Sequence, residues 1–346
     1  MGVYAAPIRR YAKSMRIFHQ PDQIPLDAHG AVLAIGNFDG VHRGHQFVIG
    51  VTRDIARASG ATVGILTFEP HPRTVFAPDA EPFRLTPSPV KRRHLEVLKV
   101  DTMIELTFDM ALAEVPARQF VEDLVVGVIK PSALVVGWDF CFGQGRRGNA
   151  KLLREMGNEL DFGVHIIEPV RDPEEETYSS NLIRQYLARG EPARAASLLG
   201  HLWEIEGEVL AGEELGRTLG FPTANLSLDG YLLPKFGIYA VRAGEDKGLE
   251  TQWRDGVGYI GLRPTVGGKT PLLEFNLFDF DADLYGSHWR VALVEFIRGD
   301  EKFDDLDALQ AQMADDARRA RQLLSARRIR AGSVGADPEN GGQNPH

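Results

Sequence analysis

Through the first half of the chain, short apolar runs alternate with apolar positions spaced three and four apart. Ala31 to Ile35 is a continuous apolar run suited to a strand buried on both faces. Behind it Phe47, Val48, Val51, Ile55 and Ala58 recur at helical spacing, and Gly60 stands where a left-handed cap belongs. Further strand-like runs at 61–68, 103–108, 133–136 and 164–167 alternate with helical patterns at 90–99, after Pro116 and at 150–160. Pro116 fits the first helical position, with Phe120, Leu124 and Val128 as the buried face of its helix. Strand and helix in alternation predict an α/β domain, a parallel doubly wound sheet with right-handed crossovers.

The pattern then changes. Helices are expected at 179–188 and 192–199, joined at Gly190. From His201 to Gly299 the runs WEIEGEVL, TANLSL, GIYAVRA, GVGYIGL, LLEFNLFDF and WRVALVEFI follow one another with no helix between them, which predicts a small antiparallel barrel or sandwich. A last helix is expected over 305–327, with Leu306, Leu309, Met313, Ala317, Ala320 and Leu324 on one face, an acidic first turn and an arginine-rich last turn. The organisation read from this is an extension (1–14), a first domain (15–187), a linker helix (188–200), a second domain (201–328) and a disordered tail (329–346).

Composition narrows the classes. With 346 residues, 43% hydrophobic and 25% charged, the chain is globular, and no apolar run approaches membrane-spanning length. A net charge of −9 argues against nucleic-acid binding, which depends on basic surface. The single cysteine, Cys141, rules out an internal disulfide and makes the cytoplasm the default compartment. Arg9, Arg10, Lys13 and Arg16 with no early acidic residue faintly resemble a transit peptide, but without an apolar core the stretch reads as a ragged extension.

Candidate chemistry begins at GNFDGVHRGH, Gly36 to His45, between the first apolar run and its helix. A strand-to-helix turn aims free N–H groups at a ligand, and glycines let backbone approach an anion. His42 and His45 can donate hydrogen bonds to phosphate oxygens; a metal pair or an ordinary glycine-rich turn are the alternatives. A second stretch, GEELGRTLGFPTAN from Gly212, looks like a P-loop but has one residue too few and Arg217 in place of lysine. GGKT at Gly267 fails too, since Arg263 holds the first glycine position. Thr223 and Asn225, two apart on a starting strand, share a face and present oxygen ligands suited to Mg²⁺, or else form a solvated hairpin edge. GQGRRG, Gly143 to Gly148, matches the dinucleotide fingerprint, with Glu168 downstream. It falls deep within the domain, which favours a loop over the site, with Arg146 and Arg147 facing phosphates.

Together GNFDGVHRGH, TFEPHP (67–72), GWDFCFGQGRRG and SSNLIR (179–184) resemble the adenylyltransferase half of bacterial bifunctional riboflavin kinase/FAD synthetases. GRTLGFPTAN, GIYAV, IGLRPTVGG, LEFNLFDF and DLYG resemble the kinase half, in the same order. The resemblance implies a Rossmann-like nucleotidyltransferase domain followed by a small antiparallel barrel with a terminal helix. It implies that riboflavin is phosphorylated to FMN, and that FMN is adenylylated with a second ATP to FAD, releasing pyrophosphate. ATP, riboflavin, FMN and FAD are then substrates or products and Mg²⁺ the cofactor. Neither nucleic acid nor membrane is a partner, and a homo-oligomer stays open.

Residue roles follow from the same resemblance. Glu274 is the kinase base, Thr223 and Asn225 hold Mg²⁺, and Gly212, Gly216, Arg217, Thr218 and Gly220 cover the kinase ATP. His42 and His45 serve adenylyl transfer. Gly36, Asn37, Phe38, Asp39, Gly40, Gly44, Ser180, Asn181 and Arg184 bind the other ATP, and Asp139, Phe140, Arg146 and Arg147 form the active-site loop. Asn181, Cys141 and Asn276 depart from the threonine, arginine and histidine common in the family. Three alternatives therefore stand: a flavin-binding regulatory protein, a riboflavin kinase that has lost adenylyl transfer, and an NAD-dependent oxidoreductase using Gly143 to Gly148.

Overall fold

The computed structural model describes residues 14–172, 175–210, 223–265, 268–282 and 284–333. Two compact units emerge, one of Met1–Glu81 with Thr86–Tyr178, the other of Pro82–Leu85 with Ser179–His346.

In the first unit six strands form one parallel sheet: β1 (Arg16–Phe18), β2 (Val32–Ile35), β3 (Val63–Glu69), β4 (Thr102–Thr107), β5 (Ala133–Gly137) and, after a separate two-stranded ribbon of β6 (Cys141–Phe142) and β7 (Gly148–Asn149), β8 (Gly163–Ile167). Their order is β1-β4-β3-β2-β5-β8, every pair parallel. Both faces are covered. Leu33 and Ile35 join Leu66, Leu134 and Val136 in one core, while Ala34 joins Ile65 and Met103 in another. Burial on both faces is why these strands read as continuous apolar runs rather than alternating ones. The chain leaves β2 for β3 on one side and finds β5 on the other, so the carboxyl end of β2 is a topological switch point, where open α/β sheets bind ligands.

Helix α1 (Arg43–Ser59) ends at Gly60, whose φ of 69° supplies the left-handed cap. Its buried residues are Ile49, Thr52 and Ala56, whereas Phe47, expected on the buried face, is 49% exposed. The face is rotated relative to the expectation because Val48 and Val51 pack only partly and Ile49 takes the centre. After α2 (Pro72–Phe76), α3 (Ser88–Val97) and α4 (Met110–Ala113) comes α5 (Ala117–Gln119), with Pro116 as its N-cap rather than its first residue. It continues as a π-helix, Phe120–Ile129, closed by Lys130 N donating to Val125 O at 2.7 Å. The wider turn moves full burial to Val121, Val125 and Ile129, leaving Leu124 and Val128 half-buried. Helix α6 (Ala150–Leu160) starts on Asn149, whose side chain accepts from Leu152 N.

The second unit opens with α7 (Ser180–Arg189) and α8 (Pro192–Leu199), turned at Gly190. Both count with this unit, ahead of the boundary expected at 188–200, because α8 packs on its strands and buries Ala195, Leu198 and Leu199. Strands β9 (Trp203–Glu208), β10 (Ala224–Ser227), β11 (Gly237–Glu245), β12 (Arg254–Thr265), β13 (Gly268–Leu277) and β14 (His288–Arg298) form an antiparallel sheet ordered β10-β13-β12-β11-β14-β9. Leu210 N donates to Asn225 O at 2.9 Å, so the two ends nearly close the sheet into a barrel. Helix α9 (Leu306–Ser333) lays Ala320 and Leu324 against Ala240 and Val294, and it runs past the end expected at Arg327. The segment Pro82–Leu85 belongs here too: Trp203 Nε1 donates to Leu85 O (2.8 Å), Arg184 Nε to Phe83 O (2.8 Å) and Leu232 N to Arg84 O (2.7 Å). The expected extension, apart from Ser14, and the tail beyond Ser333 lie outside the described residues.

Candidate functional site

Gly36 to His45 lies between β2 and α1, at the switch point. Gly36 N still pairs with Leu66 O at 3.1 Å, and the chain then departs from ordinary backbone. Phe38 and Val41 have φ of 50° and 41° and are both 1% exposed. A β-branched residue in that region is strained, and such strain is held only where surroundings over-determine it. Here Asp39, 3% exposed, accepts from Thr86 N at 3.0 Å, and Gly40 N donates to Thr86 Oγ1 at 2.8 Å. Thr67 Oγ1 donates to Asn37 O at 3.4 Å.

His42 is the N-cap of α1, its Nδ1 accepting from His45 N at 3.3 Å. That bond requires the His42 proton to sit on Nε2. The rings of His42 and His45 stack at 3.6 Å and 17°, and a Cβ at Gly44 would lie 3.2 Å from the His42 ring and from Tyr178 Cβ. Burial, then His42, then Lys91 hold His45 well below the ordinary imidazole range, so His45 is neutral at physiological pH. Its Nδ1 is buried without a hydrogen-bond partner.

The loop after β5 is not the tight turn of a dinucleotide fold. Gly143 to Gly148 forms the tip of the β6–β7 ribbon, which stands between β5 and the helix. Gly143 serves close packing, since a Cβ there would meet Ala117 Cα at 2.5 Å. Asp139, Arg146 and Arg147 are exposed and Phe140 stacks on Phe142. Ser180, Asn181 and Arg184 count with the second unit, in the first turns of α7, where Arg184 donates to Asn181 Oδ1 at 2.8 Å.

In the barrel, Asn225 on β10, Glu274 on β13 and Tyr259 on β12 are successive cross-strand partners, so one row carries all three. Thr223, Tyr259, Glu274 and Asn276 line a cavity together with Met313 and Asp316 of α9. Burial first, then Asp300, which also accepts a hydrogen bond from the phenol, and Glu274 push Tyr259 up to about 12. Asp316, 3% exposed, is held by Arg298 through Nη2 (2.7 Å) and Nε (2.9 Å). Asn225 is 3% exposed and its Oδ1 has no hydrogen-bond partner. A buried amide oxygen without a donor, two residues from the Thr223 hydroxyl, fits a hard cation. Gly212, Gly216, Arg217, Thr218 and Gly220 lie outside the described residues.

Sequence reasoning missed Thr86, Lys91 and Tyr259. Lys91 alone left a signal: it precedes Leu95 by one helical repeat, on the buried stripe.

Among known proteins, the FAD synthetase family profile matches residues 24–181 and the riboflavin kinase profile residues 199–324. The bifunctional riboflavin kinase/FMN adenylyltransferase of Escherichia coli strain K12 is 42% identical over 312 residues, covering 90% of this chain and 98% of the relative. That of Bacillus subtilis strain 168 is 35% identical over 320 residues, with 90% and 98% covered. A crystal structure described as a macrolide-efflux protein from Streptococcus pneumoniae superposes with a TM-score of 0.76 at 29% identity, over 87% of this chain and 97% of that one.

Proposed function

The chain belongs to the bifunctional riboflavin kinase/FMN adenylyltransferase family, and on that premise we propose which of its residues carry each reaction. The activity is FAD biosynthesis: ATP phosphorylates riboflavin to FMN, and a second ATP adenylylates FMN to FAD with release of pyrophosphate. The oxidoreductase alternative is discarded, because the family is a transferase and Gly143 to Gly148 is a ribbon tip. The losses of function weighed above fall with it as readings of the family.

Riboflavin phosphorylation belongs to the barrel. The observation that carries this is the row Asn225, Glu274, Tyr259 beside a cavity. Glu274 accepts the proton of the riboflavin 5′-hydroxyl as its oxygen attacks the γ-phosphorus, ADP departing with the electron pair. Thr223 and Asn225 would hold Mg²⁺, which neutralises phosphate charge when bound. Tyr259, kept neutral by its raised pKa, adds no charge to the carboxylate beside it.

Adenylylation belongs to the Gly36–His45 turn. The FMN phosphate is already an anionic nucleophile, so no strong base is needed. An FMN oxygen attacks the α-phosphorus and pyrophosphate leaves; the site must meet charge on both groups. The start of α1 and the donor His42, its Nε2–H turned outward by the capping bond at Nδ1, suit that task, and His45 stacks behind it. Among the described residues no helix is long and apolar enough to cross a membrane, and the lone Cys141 suits a cytoplasmic enzyme.

The pair Glu274→Gln and His42→Ala tests the assignment, with flavins separated by chromatography. Glu274→Gln should abolish FMN formation yet leave FAD formation from supplied FMN, and His42→Ala should do the reverse. Loss of both products in either variant rejects the two-site assignment.

A further inference from the structure

Helix α3 is fastened to the phosphate turn at two places. Ahead of its first turn, Thr86 ties Asp39 and Gly40, as described above. Within it Lys91, 1% exposed, donates to Thr67 Oγ1 at 3.2 Å, and Thr67 Oγ1 donates onward to Asn37 O at 3.4 Å. A side chain from one helix thus reaches the turn's backbone through a single hydroxyl.

Two carboxylates face the Lys91 ammonium, Glu69 at 3.8 Å and Glu105 at 3.9 Å. Glu105, 2% exposed, is already served by Ser88 Oγ and Arg92 Nη2, with His19 Nδ1 at 3.5 Å. Although burial pushes its carboxyl up, the Ser88 and Arg92 hydrogen bonds and the nearby Lys91 charge prevail and hold it below the usual range. Glu105 is thus shared between Ser88, Arg92 and Lys91, with the first two making its hydrogen bonds. Glu69 is a third exposed, so water screens it. What sets this ammonium apart is where its hydrogen-bond chain leads: through the Thr67 hydroxyl it ends on the Asn37 carbonyl of the turn.

We propose that Lys91 is a positioning residue of adenylyl transfer: its buried ammonium braces the phosphate turn through Thr67 and Asn37, and places fixed positive charge beneath it. The inference rests on the assignment of that turn to adenylylation. His45 faces the stacked His42 ring at 3.6 Å, the Phe38 ring at 5.2 Å and, from α3, the Lys91 charge. The Lys91 ammonium gives the turn a positive charge that does not depend on protonating the His45 ring. Were the imidazoles to carry the charge, stacking would let only one of them hold it.

The test uses the full chain bearing Lys91→Met/Glu105→Gln, which removes both charges of the deepest pair and so leaves no buried carboxylate orphaned by the loss of the lysine. FAD formation from FMN, FMN formation from riboflavin, thermal melting and the NMR titration of the His45 ring are measured. The expected result is a kcat for FAD formation lower by roughly tenfold or more, unchanged FMN formation, and a His45 ring that titrates at higher pH than in the parent. Parental FAD formation in the folded variant, or an unmoved His45 titration, overturns the proposal. Lys91→Arg keeps the charge and should keep both readouts near parental; equal losses there overturn it as well. Should the double variant fail to fold, Lys91→Gln is read by the same two criteria. His42→Ala separates the levels: FAD formation surviving it removes the site assignment, whereas loss there with retention in the Lys91 variants removes only the role of Lys91.

Discussion

The carboxylate of Asp39 accepts the backbone N–H of Thr86 at 3.0 Å, although the two residues lie 47 positions apart. Neither is exposed by more than 3%. The bond fixes the middle of a turn whose Phe38 and Val41 hold strained φ values, and the Thr86 hydroxyl returns the favour at Gly40 N. Asp39→Ala should therefore cost about 1–3 kcal/mol through the Thr86 N–H left buried. FAD formation should fall while FMN formation from riboflavin holds. Melting curves and product chromatography on the same sample check both.

At Asn225 stability and function should oppose each other. Its Oδ1 is buried without a partner, which destabilises the metal-free fold by about 1–3 kcal/mol. Asn225→Leu is expected to raise the melting temperature of the metal-free protein and to lower FMN formation. Adding Mg²⁺ should raise the melting temperature of the parent more than that of the variant, as magnesium titration of the melting curve would show.

His45 sets a pH dependence. Burial and the neighbouring His42 and Lys91 put its folded pKa well below the ordinary imidazole value of 6.5, so below that pH the unfolded chain takes up a proton that the folded chain refuses. The stabilisation is complete above 6.5 and is lost as pH falls toward the folded value. Glu105, lowered from 4.5, adds its own loss only at more acidic pH. Between these two values His45→Gln should flatten the fall of melting temperature with decreasing pH, measured by calorimetry in matched buffers.

The Arg298–Asp316 pair anchors α9 to β14 at 2.7 Å beside the cavity that Glu274 and Tyr259 line. Asp316→Ala leaves a largely buried guanidinium without its main partner and should cost about 3–5 kcal/mol. Because Asp316 and Met313 line the cavity, KM for riboflavin should rise more than kcat falls. Steady-state kinetics with the FMN-to-FAD step as an internal control separates the two.

Local rules read well where one element decides its own geometry. The helix at Ala150–Leu160 carries its cap at Asn149, and Gly60 and Gly190 supply the left-handed residues their positions require. Strand alternation puts Thr223 and Asn225 on one face from sequence alone, whereas Glu274 is reached only through the family resemblance, since alternation does not tell it from any other strand-surface carboxylate. Reading failed where distant chain decides. Phe47 matches the helical spacing yet faces solvent, since β2 and β3 select Ile49 instead. The π-helix after Pro116 breaks the assumed period of 3.6. Thr86 gave no sign, for its importance lies wholly in the turn it meets. Tyr259 reads as one more strand aromatic until its cross-strand neighbour, Glu274, is known.

Pro82–Leu85 lie within the sequence of the first unit and supply backbone acceptors to Trp203, Arg184 and Leu232 of the second. In genetic terms the two activities are threaded rather than tandem. A gene divided at the Tyr178 codon would send three acceptor carbonyls with one product and their donors with the other. The Trp203 indole, the Arg184 guanidinium and the Leu232 N–H would then each lack the carbonyl that accepts from it.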